Sequence, residues 1–398
     1  MKSCVSGFNL TDEVRKNISI AENLTIYDTT LRDGEQTPGV AFTPQQKLEI
    51  AIKLDELGVQ EIEAGFPSVS RRERIGIKKI VDQGLNLKVL SLARANIKDV
   101  DYALKCGVDG VIIFFPTSHI HLKYKVKARL DEIIEKGIET VEYAKDHGIW
   151  TQLSCEDGTR SDIDALLKVY KIAEELKTDR VGLADTVGCI HPTAMKSLIS
   201  TLRKEIKIPM AVHCHNDFGL AVANSLAAVE AGINAVSCTV NGIGERGGNA
   251  SLEEVIMSLY ILYGVDLGFR YSVLSELSEL VSRYSGIDIP PNKAIVGKNV
   301  FRHESGIHVA AVLENSFTYE PYLPQIVGKK RELVYGKHSG FRGVLEKLKE
   351  LNYNLSEEEV DSVVYLVKEY REDGYTITDD LIREFAERVK KGERYVLG

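Results

Sequence analysis

The run Met210-Ala211-Val212-His213-Cys214-His215-Asn216-Asp217 starts apolar and ends in side chains that bind metals and anions. A short β-rich run opening into a chemically capable loop is the repeating unit of an α/β barrel, where chemistry collects at the C-terminal ends of strands. Outward from it, β-rich runs recur at 24–27, 60–64, 87–93, 110–115, 149–154, 180–184 and 235–240, which with 210–213 makes eight. Between them, 44–57, 130–147, 162–176, 193–205 and 220–231 carry apolar residues at helical spacing, several opened by Thr, Ser or Asp caps. This alternation predicts an α/β fold, a (β/α)8 TIM barrel of about the usual 250 residues.

A barrel of this kind should carry its reactive side chains just after its strands. Asp28 to Gln36 follow the first strand, Cys155 to Arg160 the fifth, Asp185 to Gly188 the sixth, His213 to Asp217 the seventh and Asn241 to Asn249 the eighth. Solvated turns are polar too, but these loops hold the residue types that metal and anion chemistry needs. Residues at i and i+2 of a strand leave the same face about 6 to 7 Å apart, so His213 and His215 can converge on one ion while Cys214 points away. Two neutral imidazoles with one or two oxygen ligands suit a divalent ion that leaves positions open for substrate. Asp33 can supply a carboxylate and Asn249 an amide oxygen. Zinc, manganese and magnesium all fit, and the two histidines argue against calcium. Arg32 offers a planar fork for a carboxylate or a developing oxyanion, or else a salt bridge at the barrel mouth. The glycines from Gly242 to Gly248 are equally compatible with a phosphate cradle and a structural turn.

With 398 residues, 44% of them hydrophobic, the chain can bury a large core. Fifty basic against 58 acidic residues leave a net charge of −8, with no basic face interleaved with aromatics, so nothing points to nucleic acid. No apolar run is long enough to span a bilayer, and six scattered cysteines without a C-x-x-C pair fit a reducing cytoplasm. Residues 1–22 read as an N-terminal extension and 23–285 as the catalytic barrel. A glycine-containing linker or lid subdomain at 286–341 and a helical subdomain at 342–398 follow, the latter read as two helices joined around Asp373-Gly374.

Three segments together carry a resemblance. Leu31-Arg32-Asp33-Gly34-Glu35-Gln36 with Lys47, His213-Cys214-His215-Asn216-Asp217-Phe218-Gly219-Leu220, and Asn241-Gly242-Ile243-Gly244-Glu245-Arg246 resemble the 2-isopropylmalate synthase/homocitrate synthase family, in order and over nearly the whole chain. The resemblance implies a Claisen condensation of acetyl-CoA onto a 2-oxo acid, then thioester hydrolysis and release of CoA. It implies metal ligation by Asp33, His213, His215 and Asn249, with Arg32 at the oxyanion and Gln36 and Thr186 on the substrate. Glu156 would assist at the acetyl group or a water. His308 matches the family histidine proposed as the base that forms the enolate, and Tyr319 its partner. In the family these two reach the neighbouring subunit's site, which implies a homodimer.

Only 58 residues follow Gly340, fewer than the C-terminal regulatory domain of 2-isopropylmalate and many citramalate synthases. With Gly39-Val40-Ala41-Phe42, that resembles homocitrate synthases of the nitrogenase-cofactor and methanogen coenzyme B branches. Lysine-pathway members hold the second carboxylate of 2-oxoglutarate with a histidine and an arginine, whose positions fall on Leu92 and Gln152 here. Arg94, His119, His121 and Lys123 are then the nearby cations, with Arg94 taken as the substrate contact. The expected acceptor is 2-oxoglutarate or a longer homologue. The alternatives are a 2-isopropylmalate or citramalate synthase lacking the regulatory domain, and, in another class, a barrel lyase or a non-catalytic ligand-binding barrel. The segment from His308 to Tyr319 favours a synthase, and the full metal set favours catalysis.

Overall fold

A computed structural model describes residues 5–395. Among them, eight parallel strands close a barrel in sequence order. They are β1 (Thr25–Asp28), β2 (Glu61–Glu63), β3 (Lys88–Arg94), β4 (Gly110–Pro116), β5 (Trp150–Glu156), β6 (Arg180–Asp185), β7 (Met210–Cys214) and β8 (Ala235–Cys238). Closure runs from Thr25 against Ala235 to Asp28 against Cys238. The strands are buried on both faces, as parallel strands covered by helices must be, which is why β4 is a nearly unbroken apolar run. All eight expected strands form, with ends displaced by one or two residues.

After a short turn of helix α1 (Asp12–Arg15), α2 (Pro44–Leu57), α3 (Arg71–Val81), α4 (Ile97–Cys106), α5 (Leu130–Asp146), α6 (Ile163–Glu175), α7 (Pro192–Glu205), α8 (Ala221–Glu230) and α9 (Leu252–Ser258) alternate with the strands, and α10 (Leu274–Ser285) follows. The start of α2 shows why the pattern was readable. Thr43 and Gln46 form a reciprocal capping box, and Pro44 occupies the first turn, where it forfeits no hydrogen bond. From Ser6 onward the extension belongs to the barrel unit, with the Ser19 amide bonded to the Glu230 carbonyl at the end of α8 at 2.9 Å.

The chain divides into two compact units, the first running from Ser6 to Ile289 and the second taking the chain from Pro290 onward. The second unit pairs β9 (Arg302–His303) with β10 (Glu332–Leu333) and carries α11 (Gly306–Glu314). Three helices finish it, α12 (Phe341–Glu350), α13 (Glu357–Glu372) and α14 (Asp379–Lys390), around Leu348, Val363, Val367 and Phe385. The sequence reading expected two helices there. The break lies at Asn352, whose φ of 63° ends α12, and Ser356 with Glu359 opens α13 with a capping box. No helix among the described residues is long and apolar enough to cross a membrane. The described cysteines Cys106, Cys155, Cys189, Cys214 and Cys238 are free thiols, while Cys4 lies outside the described residues.

Candidate active site

β7 delivers His213 and His215 two positions apart, and the turn after β1 delivers Asp33 to the same point. Asp33 Oδ2 lies 3.2 Å from His213 Nε2 and 3.7 Å from His215 Nε2, and the two Nε2 atoms are 3.1 Å apart. The opposite ring nitrogens are spoken for: His213 Nδ1 meets Ser237 Oγ at 2.9 Å and His215 Nδ1 the Gly248 carbonyl at 3.2 Å. A carbonyl can only accept, so His215 donates from Nδ1 and its Nε2 presents a lone pair to the shared point. Burial and the neighbouring His213 push His215 down to about 4, keeping it a neutral imidazole. Burial alone would raise Asp33, but Arg32 and the two histidines more than offset that and hold it well below the usual carboxylate range.

The glycine loop turns out to serve Asn249. Gly248, at φ 87°, bends the chain back, and a Cβ on Gly244 would lie 2.1 Å from Asn249 Nδ2. Asn249 is thereby held beside His215 in an isolated bridge, its Nδ2 donating to the Ile243 carbonyl at 3.2 Å. Its Oδ1 is buried with no hydrogen-bond partner. A carboxylate, two inward lone pairs and an orphaned amide oxygen together fit a divalent cation, since an uncompensated buried acceptor is otherwise costly.

Arg32 is fixed from two sides, to Asp33 at 2.8 Å and to Glu63 of β2 at 2.9 Å. Burial opposes its charge, yet the two carboxylates hold its pKa above the ordinary value. Its Nε is buried without a partner, as is Oε1 of Glu63.

These groups open on a cavity of about 310 Å³ lined by Arg32, Asp33, Gln36, Glu156, Thr186, His213 and His215. The strand order puts β4 and β5 across the barrel from the β7, β8 and β1 ends that hold the metal donors. On that far side Lys125 bonds Glu156, whose Oε2 stands 3.7 Å from His121 Nδ1. Between the two ends the walls are apolar, through Leu92, Ile112, Phe114 and Leu183. Leu92 and Gln152 both face the cavity; Gln152 accepts from buried Arg180 at 2.5 Å and donates to Ser154 at 2.8 Å. Thr186 Oγ accepts from the Asp157 amide at 2.8 Å, tying the β5 and β6 loops together.

Arg94 sits elsewhere. Its guanidinium forks onto Asp99 at 2.7 and 2.9 Å, one layer behind Phe66, which itself lines the cavity. Asp99 is two residues into α4, so Arg94 ties a strand end to its helix. Besides Arg32, the cations that line the cavity are Lys125 and Arg246, and the acid that fixes Arg32 is Glu63; the sequence pattern gave no role to Lys125 or Glu63. Glu63 is the last residue of β2, but the expected run of 60–64 kept it inside the strand, so the rule that reactive side chains follow strands passed over it. In the second unit, the rings of His308 and Tyr319 lie 4.1 Å apart at a 32° tilt, both exposed.

The HMGL-like family profile matches residues 23–281. The chain belongs to the HMGL-like family. A second profile, the homocitrate synthase post-HMGL domain, matches residues 295–375 of this HMGL-like enzyme. It is 55% identical over 384 residues to the homocitrate synthase AksA of Methanopyrus kandleri, across 96% of this chain and 97% of that one. To the 2-isopropylmalate synthase of Methanocaldococcus jannaschii it is 51% identical over 378 residues, across 94% of this chain and 73% of that one. Among solved structures, an HMG-CoA lyase of Bacillus subtilis superposes with a TM-score of 0.63 at 20% identity, over 69% of this chain and 97% of the lyase, a likeness of fold.

Proposed function

We propose that the chain is a homocitrate synthase, joining the methyl carbon of acetyl-CoA to the keto carbon of 2-oxoglutarate or a longer 2-oxo diacid. Water then cleaves the thioester to release CoA and give homocitrate from 2-oxoglutarate, or its longer homologue from a longer diacid. The observation that carries this reading is the convergence of Asp33, His213 and His215 at one end of the cavity that Arg32 also enters, with Asn249, its Oδ1 unpartnered, bridged to His215.

A divalent ion held by those four residues would polarise the keto acid, and zinc, manganese and magnesium all suit the donors. Arg32, locked by Glu63, donates to the alkoxide oxygen as charge develops there, and needs no reorganisation to do so. Gln36 and Thr186 orient the 2-oxo acid. Glu156, paired with Lys125, would assist at the acetyl group or the hydrolytic water, the role the family resemblance implies. His308 takes the methyl proton that enolate formation releases, with Tyr319 holding its ring. Both are supplied by the second copy in a homodimer, so the lid at 286–341 works in trans while 342–398 packs as helices. Five free thiols among the described residues support a cytoplasmic setting.

The apolar middle of the cavity favours a second reading, a 2-isopropylmalate or citramalate synthase. One panel separates them: CoA release from acetyl-CoA with 2-oxoglutarate, 2-oxoadipate, 2-oxoisovalerate and pyruvate. 2-Oxoglutarate is expected to exceed 2-oxoisovalerate in kcat/KM by at least about tenfold, or about 1.4 kcal/mol of transition-state discrimination. A better rate with 2-oxoisovalerate or pyruvate defeats the homocitrate reading and leaves the condensation chemistry in place.

A further inference from the structure

Glu156 closes β5 on the wall of the cavity and gives one oxygen to Lys125. Its other oxygen, Oε2, is buried with no hydrogen-bond partner among the described residues, and so is Nδ1 of His121, 3.7 Å away. Two buried polar atoms left facing each other are costly, and a movement of about 0.5 Å would join them. The same ring sets Nε2 3.7 Å from Oδ2 of Asp157, so one imidazole stands between two carboxylates. Asp157 is fully buried; its Oδ1 accepts from Arg160 Nε at 2.8 Å and its Oδ2 from the Ser118 hydroxyl. The backbone holds the ring in place. His121 opens the helical turn His121–Val126, which also carries Lys125, and its amide donates to Ser118 Oγ at 3.2 Å.

We infer that His121 is the proton partner of Glu156 in thioester hydrolysis, with Asp157 fixing its tautomer. The inference rests on the condensation reading above and adds a residue to its second step. His308 is engaged in enolate formation, so Glu156 is the base left for the hydrolytic water. Asp157, paired with Arg160, can only accept, so the neutral ring of His121 carries its hydrogen on Nε2 and presents the Nδ1 lone pair to Glu156. As the water oxygen bonds to the thioester carbon, Oε2 of Glu156 takes a proton from it and passes that proton to Nδ1. The imidazolium so formed lies between Glu156 and Asp157, whose other partners are Lys125 and Arg160. When the C–S bond breaks, the proton returns through Glu156 to the CoA sulfur, which leaves as the thiol, and the new carboxylic acid gives its own proton to solvent. His121 is thus a positioning residue that acts through Glu156.

The test uses the full-length, metal-loaded enzyme with acetyl-CoA and whichever 2-oxo acid of the panel it turns over fastest, quenched in acid within a single turnover. Mass spectrometry of the quenched samples separates the condensed thioester from released CoA. His121→Asn keeps a polar group but cannot take a proton. It should slow CoA release at least about tenfold, while the condensed thioester forms within about threefold of the wild-type rate and accumulates. His121→Ala should behave alike, and free imidazole should raise its CoA release at least about fivefold, more so as pH rises and a larger share of the imidazole is neutral, while leaving the wild type unchanged. Equal slowing of both steps in the two variants marks a purely structural role and overturns the inference. So does CoA release within about twofold of the wild type, or no response of His121→Ala to imidazole. A wild-type enzyme that releases no CoA with any 2-oxo acid instead defeats the proposed function.

Discussion

At Asp33, His213 and His215 a buried carboxylate and two imidazoles, one of them partly exposed, meet at one point, an arrangement that suits a shared cation. The nitrogens that could quench one another are held apart in role: Ser237 and the Gly248 carbonyl occupy the Nδ1 atoms, leaving both Nε2 atoms for a shared ion. Ser237 therefore acts through His213. Ser237→Ala is expected to weaken metal affinity by about 10–100-fold, the usual effect of losing an outer-shell partner, with turnover restored by added metal. His213→Ala should lose metal and turnover together, and chelation should silence the wild type. Metal stoichiometry by mass spectrometry alongside CoA release checks all three, and full activity in verified metal-free protein would remove the site assignment. His213 and His215 were legible because strand periodicity alone puts them on one face. Asn249 was nameable as a donor, but its orphaned oxygen became visible only once the glycine loop had been folded around it.

At the scale of elements, the end of β1 does more than present Asp33. Asp28, fully buried, accepts from both the amide and the hydroxyl of Thr30, and Thr30 in turn accepts from the Val240 amide beyond β8, so a single carboxyl knits the two closing strands. Burial, only partly countered by those bonds, pushes Asp28 up to about 7. The folded state then binds a proton that the unfolded chain releases near 3.8, so this group's contribution is fully present below about pH 4 and is lost as pH rises through about 7. Asp28→Asn should flatten that slope, worth on the order of a few kcal/mol across the window. Urea midpoints measured from pH 4 to 8 give the comparison, and parallel slopes for variant and wild type would contradict it. Strands and helices were legible as elements because their periods of 2 and 3.6 are local. Their ends were displaced by a residue or two because hydrogen bonds from neighbouring loops, such as Asp179 on the Thr151 amide, decide where a strand begins.

At the scale of the whole molecule, the proposed active site needs two copies of the chain. Arg32→Ala and His308→Ala should each be nearly inactive alone, the latter still binding 2-oxoglutarate, and mixing them after subunit exchange should restore up to about a quarter of wild-type turnover, as one intact site forms in each hybrid. Native mass spectrometry establishes the hybrids, and no recovery in them would exclude a shared site. The barrel, its eight strands and the two histidines that share one point could be read from the chain alone, because apolar periodicity and the position of polar loops after strands are properties of contiguous residues. Partnership had to wait for the folded chain: Arg32 with Glu63, Gln152 with Arg180, Glu156 with Lys125, and Arg94 with Asp99. Three of these pairs join different strands or loops and the fourth joins a strand end to a helix. Which acid meets which base is set by barrel closure and side-chain packing, and a linear pattern of charges does not contain those distances.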